Sequence, residues 1–337
     1  MINLKRQTVL EKTSMGERIN REIFPFLAPE LRDLMVRLPL EKYNNLEEIR
    51  LRIGAPALFR CTENDYYLGQ QGSIINSRHQ AFICTPEIIR KTVIMMCNCS
   101  VYALEEELQK GYLTLSGGHR VGFTGHTVIE AGQIKTLKQI SSINVRVARF
   151  IPGASARILR YLLQGRQLQH TIIISPPRCG KTTILRDIVA SISDGFTGLS
   201  PVQVAVVDER SEIAGCRYGV PQMPIGHCTD VLDACPKAEG MMMLVRSMGP
   251  EVIATDEIGS LADVMAVQEV INAGIKLIAT AHGRSLEEVT ARPGIGEIIR
   301  QRVFNRYIVL SRRKGPGTVE SIYNTDHQAI WKGDGEC

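Results

Sequence analysis

"ISPPRCGKTTILRD", Ile174 to Asp187, decides how the rest of the chain is read. The run TIII at 171–174 enters it as a buried strand, and GKTT at 180–183 opens a helix. A bound triphosphate needs inward-facing backbone N–H groups, an ammonium on its β and γ oxygens, and a hydroxyl on Mg²⁺. Arg178 to Thr183 can supply the amides at the positive end of a helix, Lys181 the ammonium and Thr182 the hydroxyl. The candidate nucleotide-binding segment is Ser175, Pro176, Pro177, Arg178, Cys179, Gly180, Lys181, Thr182 and Thr183. Ser175 stands where such loops usually carry glycine. If that position demands positive φ, serine costs about 1–2 kcal/mol, which lowers affinity without removing the chemistry. Pro176 and Pro177 lack N–H groups, but they lie on the entry side, where the loop mainly needs stiffness. A chance turn is the bland alternative. The strand before, the helix after and GKTT in register weigh against it.

Working outward, strands are expected at Thr171–Ile174, Val202–Val207, Glu251–Thr255 and Lys276–Thr280, and helices at Lys181–Ile192, Lys237–Ser247 and Leu261–Asn272. Continuous apolar strands joined by helices predict a parallel sheet covered on both faces. "ASARILRYLL" (154–163) reads as a further helix, and "RYIVLSRR" with "TVESIYN" as a terminal hairpin about Gly315-Pro316-Gly317. The fold class is α/β: a P-loop NTPase core of RecA/AAA type with a parallel sheet, preceded by a smaller N-terminal α+β domain. In that domain "LEEIRLRIGAPALFR" (46–60) alternates as a strand and its successor, with Ile49, Leu51 and Ile53 on one face. "TPEIIRKTVIMMC" (85–97) begins a helix, Gly117-Gly118 fits a hairpin, and "SINVRVARFI" (142–151) is a strand. Pro152-Gly153 breaks the pattern. The expected organisation is a helical or flexible leader at 1–40, the α+β domain at 41–152, the P-loop domain at 153–325 and a tail at 326–337.

Two expected strands end in acid pairs, Asp208-Glu209 and Asp256-Glu257, and a third ends near His282. In a parallel sheet these tips share one edge with the phosphate loop. Triphosphate hydrolysis needs one carboxylate at the hydrated Mg²⁺ and another to polarise water. Glu257 is assigned to the water and Asp256, with Thr182, to the metal. Asp208 and Glu209 are expected to help position both, with helix capping as the competing reading of that pair. His282 suits a sensor of the γ-phosphate, though a histidine at a strand end is often structural.

The chain has 337 residues, 44 % of them hydrophobic, and a net charge of +5. That is enough for two modest domains and too little charge for a nucleic-acid coat. Nine scattered cysteines show no disulfide framework and point to a reduced, cytosolic compartment. The charged N-terminus lacks the apolar core of a signal peptide, and no run reaches the roughly 18 apolar residues of a membrane span. Any membrane role must come through a partner.

The loop, then "VVDERSEIAG", "DACPKAEGMMMLVRSMGPEVIATDEIG" and "IATAHG", resembles the hexameric secretion ATPases of type II and type IV systems, most closely their sporulation branch in endospore formers. "EEIRLRIGAPALFR", "GGHRVGFTG" and "NVRVAR" extend the resemblance over about residues 46–323. It implies ATP with Mg²⁺, a homo-oligomer in a hexameric ring, and a cytoplasmic position in the mother cell, peripheral at the membrane. There it would power a channel to the forespore built from membrane-embedded sporulation components. No direct nucleic-acid partner is expected. A nucleic-acid-stimulated motor or loader and a nucleotide-gated assembly scaffold are the rival readings.

A ring ATPase brings arginine to the triphosphate. Arg120, Arg146, Arg149, Arg210, Arg217 and Arg246 are the candidates, against the ordinary reading of solvated surface arginines. The basic stretch Arg300, Arg302, Arg306, Arg312, Arg313 and Lys314 reads as a solvated face. Cys216, His227, Cys228 and Cys235 fit no tight zinc spacing. They lie in a 27-residue loop, Arg210–Pro236, whose length suggests subunit contact or nucleotide closure.

Overall fold

The computed structural model describes residues 14–97, 109, 111–130 and 132–333. The chain forms two compact units, one ending at Arg149 and the other starting at Phe150.

Among the described residues the first unit contains seven strands: β1 (Leu46–Arg52), β2 (Leu58–Cys61), β3 (Tyr66–Leu68), β4 (Ile74–Ile75), β5 (Tyr112–Thr114), β6 (Arg120–Glu130) and β7 (Gln133–Arg146). They form one antiparallel sheet in the order β4-β3-β2-β1-β7-β6-β5. Alternation decides its faces. Ile49, Leu51, Phe59, Val121, Phe123, Ile143 and Val145 join the core with residues of α1 (Met15–Glu22), α2 (Pro29–Met35) and α3 (Pro86–Met96). Glu48, Arg50, Arg60, Arg120 and Arg146 fall on the opposite parity, with Glu48 paired to Arg60 and Arg146, and Arg120 to Arg146. Ile53 lies past the end of β1 and is exposed, so it does not share the Ile49 face. The Gly117-Gly118 turn joins β5 to β6 as expected, but the long β6–β7 hairpin was not read from sequence.

The leader needs correction. Ser14 and Glu17 form a capping box on α1, and Ile19, Ile23, Leu27, Leu31 and Met35 are fully buried. Residues 14–40 are therefore core of the first unit. Their polar composition conceals this, because a short helix needs only one apolar stripe. Residues 1–13 and the cysteines Cys99 and Cys337 lie outside the described residues.

The second unit holds β8 (Leu163–Gln164), β9 (Gln167–Leu168), β10 (Thr171–Ser175), β11 (Val204–Asp208), β12 (Thr229–Asp233), β13 (Val252–Thr255), β14 (Lys276–His282), β15 (Arg306–Ser311), β16 (Thr318–Tyr323) and β17 (Ala329–Lys332). Strands β8 and β9 form a small ribbon; the other eight form one sheet, β12-β11-β13-β14-β10-β15-β16-β17. The six from β12 to β15 are parallel, and β16 and β17 run antiparallel. On one face, Ile173, Val204, Val206 and Ile278 pack with α4 (Lys181–Asp194). On the other, Ile172, Val207, Ile253 and Leu277 pack with α5 (Lys237–Ser247), α6 (Leu261–Asn272), α7 (Leu286–Thr290) and α8 (Ile295–Arg300).

Three expectations in this unit change. Residues 154–163 make turns and one 3-10 turn at Leu159–Leu162 instead of an α-helix. Asp187 of α4 captures them, accepting from the N–H groups of Gly153 and Ser155 and from the Ser155 hydroxyl. The 210–236 loop contains β12, a short edge strand too polar to announce itself. The tail supplies β17, which extends the sheet beyond residue 325.

In the first unit, the buried carboxylate of Glu22 faces Arg18 at 3.1 Å, Arg21 at 2.7 Å and His119 Nε2 at 3.2 Å. His119 Nδ1 accepts from the Ala148 N–H, which leaves Nε2–H to donate to Glu22. Burial raises the Glu22 carboxyl, but the His119 hydrogen bond and the Arg18 and Arg21 partners outweigh it and hold it at about 2, below its ordinary 4.5. Its stabilising effect is complete above pH 4.5 and is lost as pH falls towards 2. Glu22→Leu strands the buried Arg18 charge. Urea unfolding should show a loss of about 3 kcal/mol at neutral pH, together with a weaker acid arm in the stability profile.

Candidate nucleotide site at the carboxyl edge of the parallel sheet

The phosphate loop leaves β10 and enters α4. Ser175 is the last residue of β10 and pairs with His282 of β14, so it keeps extended backbone. The glycine cost considered for Ser175 does not arise. Positive φ falls instead at Arg178 (61°) and Gly180 (81°). For Arg178 that conformation costs about 1 kcal/mol, which the surrounding loop must offset. Gly180 is the N-cap of α4, so the first amides of that helix open towards the site.

Lys181, 6 % exposed, points across the edge. Its Nζ lies 3.4 Å from Glu257 Oε1 and 3.1 Å from His282 Nδ1, while His282 Nε2 lies 2.7 Å from the same Oε1. The first residue of α4 thus meets two residues at the ends of β13 and β14. Glu257 sits just past β13 with φ +49°, a strained value for a glutamate. Thr280 of β14 fixes it there: its hydroxyl accepts from the Glu257 N–H and donates to Asp256 Oδ1, both at 2.9 Å. Burial lowers the Lys181 ammonium from its usual range, against the raising pull of Glu257 and Asp256. Burial raises Glu257, but the Lys181 and His282 charges outweigh it and keep the carboxyl below its usual range. Burial raises Asp256, and the neighbouring Glu257 charge adds to the effect.

Asp208 and Glu209 turn to other work. Asp208 Oδ1 accepts from the Glu212 N–H, and Oδ2 from those of Ile213 and Ala214. Glu209 pairs with Lys237 at the start of α5. The buried Arg186 of α4 holds the same segment from its other side, donating to the carbonyls of Glu212 and Ile213. This clamp brings in a residue that the sequence reading missed. The clamp fixes the backbone of Glu212, whose charge is felt at both Lys181 and Asp256, and this makes its carboxylate a further candidate at this edge. In "DERSE" three acids stand within five residues, and the sequence does not say which of them the backbone takes up.

Of the arginine candidates, Arg210 lies 3.6 Å from Glu257. Arg217 stacks over Tyr218. Arg246 occupies the last turn of α5, which leads back to the amino end of β13, so within its own chain it lies at the opposite sheet edge. Arg120, Arg146 and Arg149 belong to the first unit, where Arg120 covers the Tyr112 ring, Arg146 lies 3.8 Å from Glu48 and Arg149 donates to the Leu46 carbonyl. The loop amides, a buried ammonium, the Thr182 hydroxyl and three carboxylates make a donor set that suits a Mg²⁺-bound triphosphate.

The family model described as "Sporulation stage III, protein AA" matches residues 17–330. Stage III sporulation protein AA of Bacillus subtilis (strain 168) is 42 % identical over 309 residues, which is 92 % of this chain and 96 % of that protein. Among solved structures, the Legionella pneumophila ATPase DotB is similar at TM-score 0.55 and 14 % identity, over 84 % of this chain and 76 % of DotB. The pilus retraction motor PilT, solved with bound ADP, is similar at TM-score 0.53 and 14 % identity, over 83 % and 76 %. These likenesses establish the P-loop secretion-ATPase fold. Among the described residues, no helix is long and apolar enough to cross a membrane.

Burial pushes the Asp208 carboxyl up to about 6, against three backbone N–H donors. A carboxyl raised on folding stabilises most below its unfolded value, near 3.8, and loses that effect as pH rises to about 6. Thermal melts of the second unit should show this decline across pH 4–6, and Asp208→Asn should remove it. Asp208→Ala leaves buried N–H groups unpaired and should cost about 3 kcal/mol.

Proposed function

The chain belongs to the stage III sporulation protein AA family, and from that premise we propose that it is a Mg²⁺-dependent ATPase that works as a homo-oligomeric ring. The convergence of Lys181, Glu257 and His282 carries the proposal. A desolvated ammonium held among carboxylates at a helix N-terminus suits a triphosphate and little else. Lys181 would bind the β and γ oxygens, and Thr182 with Asp256 would hold Mg²⁺ and its waters. The ion offsets phosphate charge when bound. Glu257, ionised and strained into the site, would take the proton of the attacking water; Glu212 would assist from the β11 side. His282 would read the γ-phosphate through its contact with Glu257. Arg210 is the arginine nearest this acid. Arg120, Arg146 and Arg149 are candidates to offset transition-state charge, and the ring is proposed to be hexameric.

The family's place in stage III of sporulation supports a role at the mother-cell membrane, cytoplasmic and peripheral, powering assembly of or transport through a channel to the forespore. The partners would be membrane-embedded sporulation components. The test is enzymatic and cellular. Purified protein should hydrolyse ATP with Mg²⁺. Lys181→Ala should lose nucleotide binding. Glu257→Gln should bind ATP and lose turnover by about 10²–10⁴-fold, and neither variant should support sporulation. A Lys181→Ala protein that still supports sporulation would leave the scaffold reading standing. Turnover stimulated by DNA would favour the motor.

A further inference from the structure

The turn between β15 and β16, Arg312-Arg313-Lys314-Gly315-Pro316-Gly317, stands at the same sheet edge as the phosphate loop, because β15 runs parallel to β10 and beside it. The two touch backbone to backbone. The Gly317 N–H donates to the Cys179 carbonyl at 2.8 Å. A Cβ on Gly180 would meet the Gly317 nitrogen at 2.9 Å. A Cβ on Gly317 would in turn lie 3.6 Å from Ile184 in the first turn of α4. The crowding is at Gly180, where a side chain would push the turn away, while a Cβ on Gly317 would make only an ordinary contact.

The turn is braced from within. Arg313 makes a two-pronged pair with Glu320 at 3.1 and 3.2 Å, and the Ser311 hydroxyl donates to the same carboxylate. The Thr318 hydroxyl accepts from the Lys314 N–H and donates to the Gly315 carbonyl. The basic stretch is therefore not one solvated face. Arg302 pairs with Asp326 and Arg306 donates to the Tyr161 carbonyl, whereas Arg312 and Lys314 ride on this turn, both exposed.

Strand order fixes which end of a ligand the turn would meet. Glu257 and His282 follow β13 and end β14 on one side of β10, while β15 flanks β10 on the other. A phosphate chain held by Lys181 with its reacting end towards Glu257 has its nucleoside end on the turn's side. Charge divides in the same sense. Asp256 and Glu257 follow β13, on the far side of β10 from the turn. Arg178 of the loop and Arg312 and Lys314 of the turn lie exposed, and among the described residues none of these three forms a salt bridge.

We propose that the turn Arg312–Gly317 walls the nucleotide site on its nucleoside side, with Arg312 and Lys314 as binding residues for the α-phosphate of a nucleoside di- or triphosphate. The assignment rests on the ATPase reading above. An α-phosphate contact is made alike in the bound substrate and the transition state, so it sets affinity more than rate.

The test uses the full chain carrying Arg312→Gln and Lys314→Gln together, with Mg²⁺-ADP and Mg²⁺-ATP titrated calorimetrically and ATP turnover followed against concentration. Both nucleotides should bind about tenfold more weakly, and KM should rise with little change in kcat. Melting curves confirm that these exposed turn substitutions leave the fold intact, and each single variant should show part of the loss. Wild-type binding with undiminished affinity in the double variant would overturn the assignment. So would a loss for ATP much larger than that for ADP, which would place the cations at the γ end. Wild-type protein that binds neither nucleotide would defeat the ATPase reading itself, and this inference with it.

Discussion

A buried ammonium needs a counter-charge, and the second unit is arranged around supplying one to Lys181. The lysine projects from the first turn of α4, where it is nearly closed to water. Its partners can arrive only if β13 and β14 end level with β10. The parallel registers provide this, pairing Ser175 with His282 and Thr255 with Ala279. A slip of one residue in β14 would turn His282 and Thr280 to the other face of the sheet and leave Glu257 without its Thr280 anchor. The apolar runs in these strands thus do more than fill the core. They lock the register on which the charge balance depends.

Strain sits where this edge is most constrained. Arg178 and Glu257 both hold left-handed backbone without being glycine. Each is fixed by neighbours: Glu257 by Thr280, and the loop around Arg178 by the Gly317–Cys179 hydrogen bond. Asp208 and Arg186 perform the same service for the segment carrying Glu212. The edge is a set of backbone pieces held by neighbouring groups: the Thr280, Asp208 and Arg186 side chains and the Gly317 backbone.

Most of this architecture was legible. The strand–loop–helix signature, the apolar strands and the acid pairs placed the parallel sheet and its edge, because continuous burial on both faces leaves an unmistakable composition. The misreadings have physical causes. "DERSE" offered three acids, and only the fold shows that Asp208 turns inward to three N–H groups and that Glu209 pairs with Lys237. Residues 154–163 carry a helical pattern that Asp187 overrides. The leader was expected to be helical or flexible, and what its charge hid is that its helices pack into the core; β12 is an edge strand paired to β11. In each case a tertiary partner far along the chain made the decision.

The same reasoning accounts for a phosphate loop with so few glycines. Glycine gives such loops freedom of backbone, and that freedom must be lost again when a ligand binds. Here Ser175 is absorbed into the strand, Pro176 and Pro177 have fixed φ, and the Gly315–Gly317 turn holds the Cys179 carbonyl from outside. The loop is shaped in advance by its neighbours, with glycine retained at Gly180, where the chain must turn left-handed against the Gly317 backbone. Support from a neighbouring hairpin thus takes the place of local flexibility, and it makes the C-terminal strands a brace of the phosphate loop instead of an appendage to the sheet.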